Sequence, residues 1–178
     1  YFPRNKLQPK GGPAGYLYNL YSEISKERND FFLLPDEFDI TENKKLRNMM
    51  PDRIKDLRRL HFMLTIPKRH KQPVADLNEY DIVHFHSTEE MFYARDLLRD
   101  YHGITVLTSH TPCVMYKELI STINPKDAAL FEKPLRRLEI IDRYAFKRAD
   151  YVIFPCREAE EPYYHTWERY KKIARHRK

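Results

Sequence analysis

Residues 80–112, YDIVHFHSTEEMFYARDLLRDYHGITVLTSHTP, hold two short apolar runs on either side of a helical pattern. The first run carries Ile82, Val83 and Phe85, the second Ile104, Val106 and Leu107. Both are rich in β-branched residues and too short for helices, so both read as buried strands. Between them Met91, Phe92, Ala94, Leu97, Leu98 and Tyr101 recur at helical spacing, with Asp96, Arg99 and Asp100 on the other side, and Gly103 is expected to close that helix. Strand, helix and strand in about thirty residues make a βαβ unit with parallel strands and a right-handed crossover. Each strand ends in polar residues: His84, His86 and Ser87 on the first, Thr108, Ser109, His110 and Thr111 on the second. Ligands of open α/β sheets bind outside the carboxyl ends of the strands, so the site is expected where these residues converge.

Upstream of this unit, residues 1–27 read as a Pro- and Gly-containing loop leading into an amphipathic helix with Tyr16, Leu17, Leu20, Tyr21 and Ile24 as its apolar stripe. Three of the four glycines, Gly11, Gly12 and Gly15, cluster at that helix start. Bare backbone there suits an anionic group such as a diphosphate meeting helix N–H groups, and it equally suits an ordinary tight turn. Residues 30–35, DFFLLP, read as a further strand. Residues 41–71 form a helical region with ten basic residues from Lys44 to Lys71 and an apolar face that includes Ile54, Leu57, Leu60 and Met63. Such a pattern fits either an anionic lipid surface or a solvated helix packed on the sheet. Downstream come a short helix at 115–122, a longer one over 126–148, a strand in ADYVIFPC at 149–156 and a final helix that turns basic toward its end. The order predicts an α/β parallel sheet with helices on both faces.

Bulk properties narrow the function classes. The 178 residues, 42% hydrophobic and 33% charged, suit one well-buried domain, and 32 Lys+Arg against 26 Asp+Glu favour an anionic partner. Cys113 and Cys156, the only cysteines, are too few for a disulfide framework, which favours a reducing cytoplasmic setting. No apolar run reaches the length of a membrane span and no signal peptide is visible. The chain starts at Tyr1 rather than Met and therefore reads as a processed or cut piece.

Four motifs, GGPAGYLYNL, YDIVHFHS, VLTSHTP and ADYVIFPC, in this order and at these separations, resemble the N-terminal half of the family-4 retaining glycosyltransferases of GT-B fold. The resemblance covers most of the chain. It implies that residues 1–178 are a Rossmann-like, acceptor-side domain, whose first strand and C-terminal nucleotide-sugar domain are absent. It further implies a hexosyl-type transferase moving a sugar, with retention, from a nucleotide-sugar donor to a glycan, lipid-linked or small acceptor, the piece alone being inactive. His110 matches the histidine that in relatives lies beside the donor sugar, and is the expected catalytic residue. Gly11 and Gly12 match the glycine pair whose backbone approaches the donor phosphates; with His86, Ser87, Ser109 and Thr111 they are expected to line the donor-phosphate and acceptor cleft. No cofactor, metal or nucleic-acid partner is expected. Many relatives act on membrane-proximal acceptors, so a cytoplasmic location with peripheral attachment to anionic lipid is implied. Glu160 and Glu168 have the E-x7-E separation of the family's donor motif but lack its Pro-Phe-Gly context, and receive no role.

Two other classes stand beside this one. His84 and His86 lie on one face of a strand, and His-x-His at a strand end can hold zinc in metal-dependent hydrolases. A non-catalytic α/β binding module is the third.

Overall fold

The computed structural model describes residues 9, 12–30, 32, 51–70 and 76–174. Among these, three strands form a parallel sheet in the order β1 (Ile82–Phe85), β2 (Ile104–Thr108), β3 (Tyr151–Ile153). Ile82 pairs with Ile104 and Phe85 with Leu107; Val106 pairs with Tyr151 and Thr108 with Ile153. Helices flank the sheet: α1 (Gly12–Glu27), α2 (Asp52–Thr65), α3 (Thr88–Tyr93), α4 (Met115–Thr122), α5 (Pro125–Arg136), α6 (Glu139–Arg148), α7 (Glu161–Thr166) and α8 (Tyr170–Ala174). The expected Rossmann-like α/β class is the observed one. Gly11, nearly all of the strand expected over 30–35, and residues 41–50 and 71 of the basic region lie outside the described residues.

The strands alternate instead of being buried throughout. Val83, Phe85 and Leu107 enter the core, where α3 and α6 pack on each other and on β1 and β2. Ile82 and Ile104, 58% and 41% exposed, belong to the other face together with His84.

Three expected helices are shorter than their apolar patterns. After β1, Ser87 caps α3 by accepting the Glu90 N–H at 3.1 Å, but α3 ends after six residues and a 3₁₀ turn follows at Leu97–Arg99. The Phe92 carbonyl, which a continuing helix would offer to residue 96, instead accepts the Arg95 backbone N–H at 3.3 Å and the Arg95 guanidinium at 2.9 Å. The same guanidinium reaches the Pro67 and Arg69 carbonyls and so ties α3 to the end of α2. The helix expected over 126–148 is split at Arg137 and Leu138. Pro134 has no N–H for the carbonyl one turn back, and the bonds beyond it tighten, Arg137 N–H to Pro134 O and Leu138 N–H to Leu135 O. The split buries Leu135, Leu138 and Ile141 and leaves Leu130 and Ile140 facing water. The tail is not one helix either: Trp167 separates α7 from α8, buried among Phe146, Tyr163 and Tyr170.

Gly103 does not close a helix by a left-handed turn, because Gly12 is the only described glycine with positive φ. Space is its reason. A Cβ at 103 would lie 2.6 Å from the Asp81 carbonyl oxygen and overlap the Tyr101 hydroxyl, which donates within reach of the Tyr80 and Ile104 carbonyls.

Asp142 on α6 is fully buried and joins two other elements. Its carboxylate accepts the Thr88 hydroxyl of α3 at 2.8 Å and the Met115 N–H that opens α4 at 3.0 Å. Burial nevertheless dominates and pushes the carboxyl up from 3.8 to about 7. The folded protein therefore holds this proton between about pH 4 and pH 7 where the unfolded chain has released it, so the contribution is present at the acid end and lost as pH rises through 7. Asp142→Asn, which cannot ionise, removes the slope. In urea titrations the stability of wild type relative to the variant is expected to fall across this window by up to about 4 kcal/mol. A constant difference would show that the carboxyl titrates normally.

Candidate active site

At the carboxyl edge of β1 and β2 three imidazoles form a stack. Strand alternation sends His84 and His86 to the same side, their ring centroids 4.3 Å apart, and His110 continues the stack 5.5 Å from His86. Polar contacts tie it to the second strand. His84 Nε2 lies 2.7 Å from the Thr108 hydroxyl, and His86 Nδ1 lies 3.2 Å from His110 Nε2. His86 is only 4% exposed, whereas His110 is half-buried, so His86 supports His110 from behind. Tyr16 of α1 covers both, with its ring 5.8 Å from His86 and 5.3 Å from His110.

The electrostatics keep the stack neutral. Burial, reinforced by repulsion from neighbouring imidazoles, takes His84 down from 6.5 to about 4 and His86 to about 2. Burial alone lowers His110. At neutral pH each ring thus offers one N–H donor and one nitrogen acceptor rather than a fixed positive charge. Such a ring can hydrogen-bond a hydroxyl or take up a proton transiently.

The glycine cluster meets this stack through α1. Gly12 opens the helix with φ +56°, a conformation that side chains rarely adopt, and among the described residues nothing lies within 4 Å of where its Cβ would be. No acidic residue sits in the first turn of α1. Tyr16, one turn further along, touches His110, which brings this helix start to the carboxyl edge of the sheet.

The remaining expected cleft residues have structural partners. Ser87 accepts from the Glu90 N–H as the α3 cap. Ser109 is 2% exposed, and its hydroxyl and that of Thr111 lie 2.8 and 2.6 Å from the hydroxyl of Tyr163. Tyr16 and Tyr163 were not singled out as site residues by sequence reasoning. Tyr16 was legible in principle, one turn after Gly12, while Tyr163 lies more than fifty residues from its partners, separated by 54 and 52 positions. His84 and His86 stack face to face, and among the described residues no three His, Cys, Asp or Glu side chains converge as a metal set. Glu160 accepts from the Tyr170 hydroxyl at 2.6 Å, a packing role in the tail.

On α2, Leu60 and Met63 are buried while Ile54 and Leu57 are exposed beside the basic residues. Part of the charge is answered locally: Lys55 pairs with Asp52, Arg53 with Asp127, and Arg59 donates to the Thr122 hydroxyl.

The model of Glycosyltransferase Family 4 matches residues 10–173. No curated protein and no solved structure matches the chain.

Because the imidazoles are depressed, their contribution to stability is complete above 6.5, the ordinary value, and is lost as pH falls toward their folded values. In an NMR titration of the histidine ring protons, His84 is expected to titrate near 4 and His110 below 6.5. A midpoint for His110 above 6.5 would contradict the desolvated stack.

Proposed function

Because the chain belongs to Glycosyltransferase Family 4, we propose that it forms the acceptor-side half of an enzyme that moves a sugar, with retention, from a nucleotide-sugar donor to a carbohydrate or lipid-linked acceptor. In the reaction the bond from the sugar's anomeric carbon to the diphosphate breaks and a bond to the acceptor oxygen forms on the same face, while the acceptor's proton leaves with the diphosphate. Such a transfer needs groups that stabilise charge on the departing diphosphate and groups that hold sugar and acceptor together. One observation carries the assignment: Tyr16 joins the glycine-led start of α1 to His110 at the strand ends. Exposed Gly12 at the start of α1 suits the diphosphate, favoured there by the positive end of the helix. Neutral His110 suits a sugar hydroxyl, with His86 holding its inner nitrogen.

The decisive assay is transfer by the complete polypeptide across a panel of nucleotide sugars. His110→Ala is expected to lower turnover by roughly tenfold to a thousandfold, about 1.4 to 4 kcal/mol, with little change in folding. Wild-type turnover in the variant would remove His110 from the reaction.

The acceptor reading extends to the membrane surface. No helix among the described residues is long and apolar enough to cross a membrane. Exposed Ile54 and Leu57 beside Arg53 and Arg58 on α2 favour contact with anionic lipid from the surface. Co-sedimentation with anionic vesicles, weakened by salt and by reversal of Arg58, Arg59, Lys68 and Arg69 to Glu, is the expected result. Equal binding to anionic and neutral vesicles, or none to either, would point to a soluble acceptor.

A further inference from the structure

The segment that carries His110 is held from both sides by one hydroxyl. Tyr163 on α7 is fully buried, and its Oη lies 2.8 Å from Ser109 Oγ, 2.6 Å from Thr111 Oγ1 and 3.3 Å from the Thr111 carbonyl oxygen. Ser109 and Thr111 are the two neighbours of His110 in sequence. Their hydroxyls also approach each other at 3.4 Å, which closes a triangle beneath the histidine. The backbone is fixed at the same place, since the Ser109 N–H donates to the Ile153 carbonyl at 3.0 Å.

The hydroxyl is separable from the packing of the ring that bears it. The Tyr163 ring sits among Phe146, Phe154 and Tyr170 at centroid distances of 5.2, 5.6 and 5.4 Å, contacts that a phenylalanine would keep. A polar atom buried in such an aromatic cluster is costly unless it is bonded, and here every polar contact of the phenol is to the His110 segment. Burial raises the phenol above its ordinary range, so it remains a protonated donor at any working pH.

We propose that Tyr163 is a positioning residue for His110: by gripping Ser109 and Thr111 together it fixes the direction in which the imidazole faces the donor sugar. The proposal rests on the reading of His110 given above. It assigns a part in the site to the tail after β3, where sequence patterning shows only a helix that turns basic toward its end.

The test is Tyr163→Phe in the complete enzyme, read in two ways. Imidazole 1H–15N spectra are expected to show the His110 resonances displaced or broadened while those of His84, held by Thr108, stay in place. Steady-state kinetics are expected to show kcat lowered by roughly ten- to a hundredfold with the donor KM little changed, the signature of a reacting group turned out of place. Adding Ser109→Ala and Thr111→Val to Tyr163→Phe is expected to cost less than the same pair costs in the wild type, because the three hydroxyls act as one unit. Unmoved His110 resonances overturn the proposal whatever the melting temperature does, and so does wild-type kcat in an active enzyme. If Tyr163→Phe fails to fold, Thr111→Val breaks the shortest contact from the other side and carries the same expectations. If the complete protein transfers no sugar at all, the transferase reading fails, and the spectra alone still decide whether Tyr163 orients His110.

Discussion

Parallel pairing of β1 with β2 in one register is the constraint on which the rest depends. With Phe85 opposite Leu107, strand alternation leaves no choice about the residues around them: Val83, Phe85 and Leu107 turn to α3 and α6, and His84 and His86 share the other face with Ile82 and Ile104, where Tyr16 of α1 meets His86. A slip of one residue would turn both histidines to the core side, where α3 packs on β1, and turn Phe85 to the site. The imidazole stack is thus a product of the same pairing that builds the core.

Two buried ionisable systems, one acidic and one basic, share this small interior and respond to pH in opposite senses. Acidification favours the fold through Asp142, whose proton is wanted inside, and opposes it through His84, His86 and His110, whose added charge is not. Over the same few pH units the two slopes partly cancel. The consequence is a flatter response than the histidines alone would give, with Thr88, Met115 and Thr108 setting how far each is compensated by hydrogen bonds.

Much of the fold was legible because periodicity records burial, and the βαβ unit is short enough for its pattern to be unbroken. The strands and the parallel order followed from Ile82, Val83, Phe85, Ile104, Val106 and Leu107. Helix lengths were not legible, since they are decided by single polar or cyclic groups that periodicity ignores: the Arg95 guanidinium on the Phe92 carbonyl, and Pro134 without its N–H. For the site, the chemistry at the strand ends could be read, but not the division of labour among its members. Nothing local to Ser109 and Thr111 announces a phenol from α7, and nothing in His-x-His distinguishes rings that stack from rings that converge on a metal.

Gly103 and Tyr101 occupy one volume between them, and the Asp81 carbonyl shares in closing it. Removing the ring at 101 would not make room for an alanine at 103, because the Asp81 carbonyl oxygen, held by the Ile104 N–H at 2.8 Å, still lies 2.6 Å from the added carbon. Losing that ring would strip a donor from the Tyr80 and Ile104 carbonyls at the entrance to both strands. Position 103 is thus closed by a side chain on one side and by fixed backbone on the other, and a change at 101 alone does not open it.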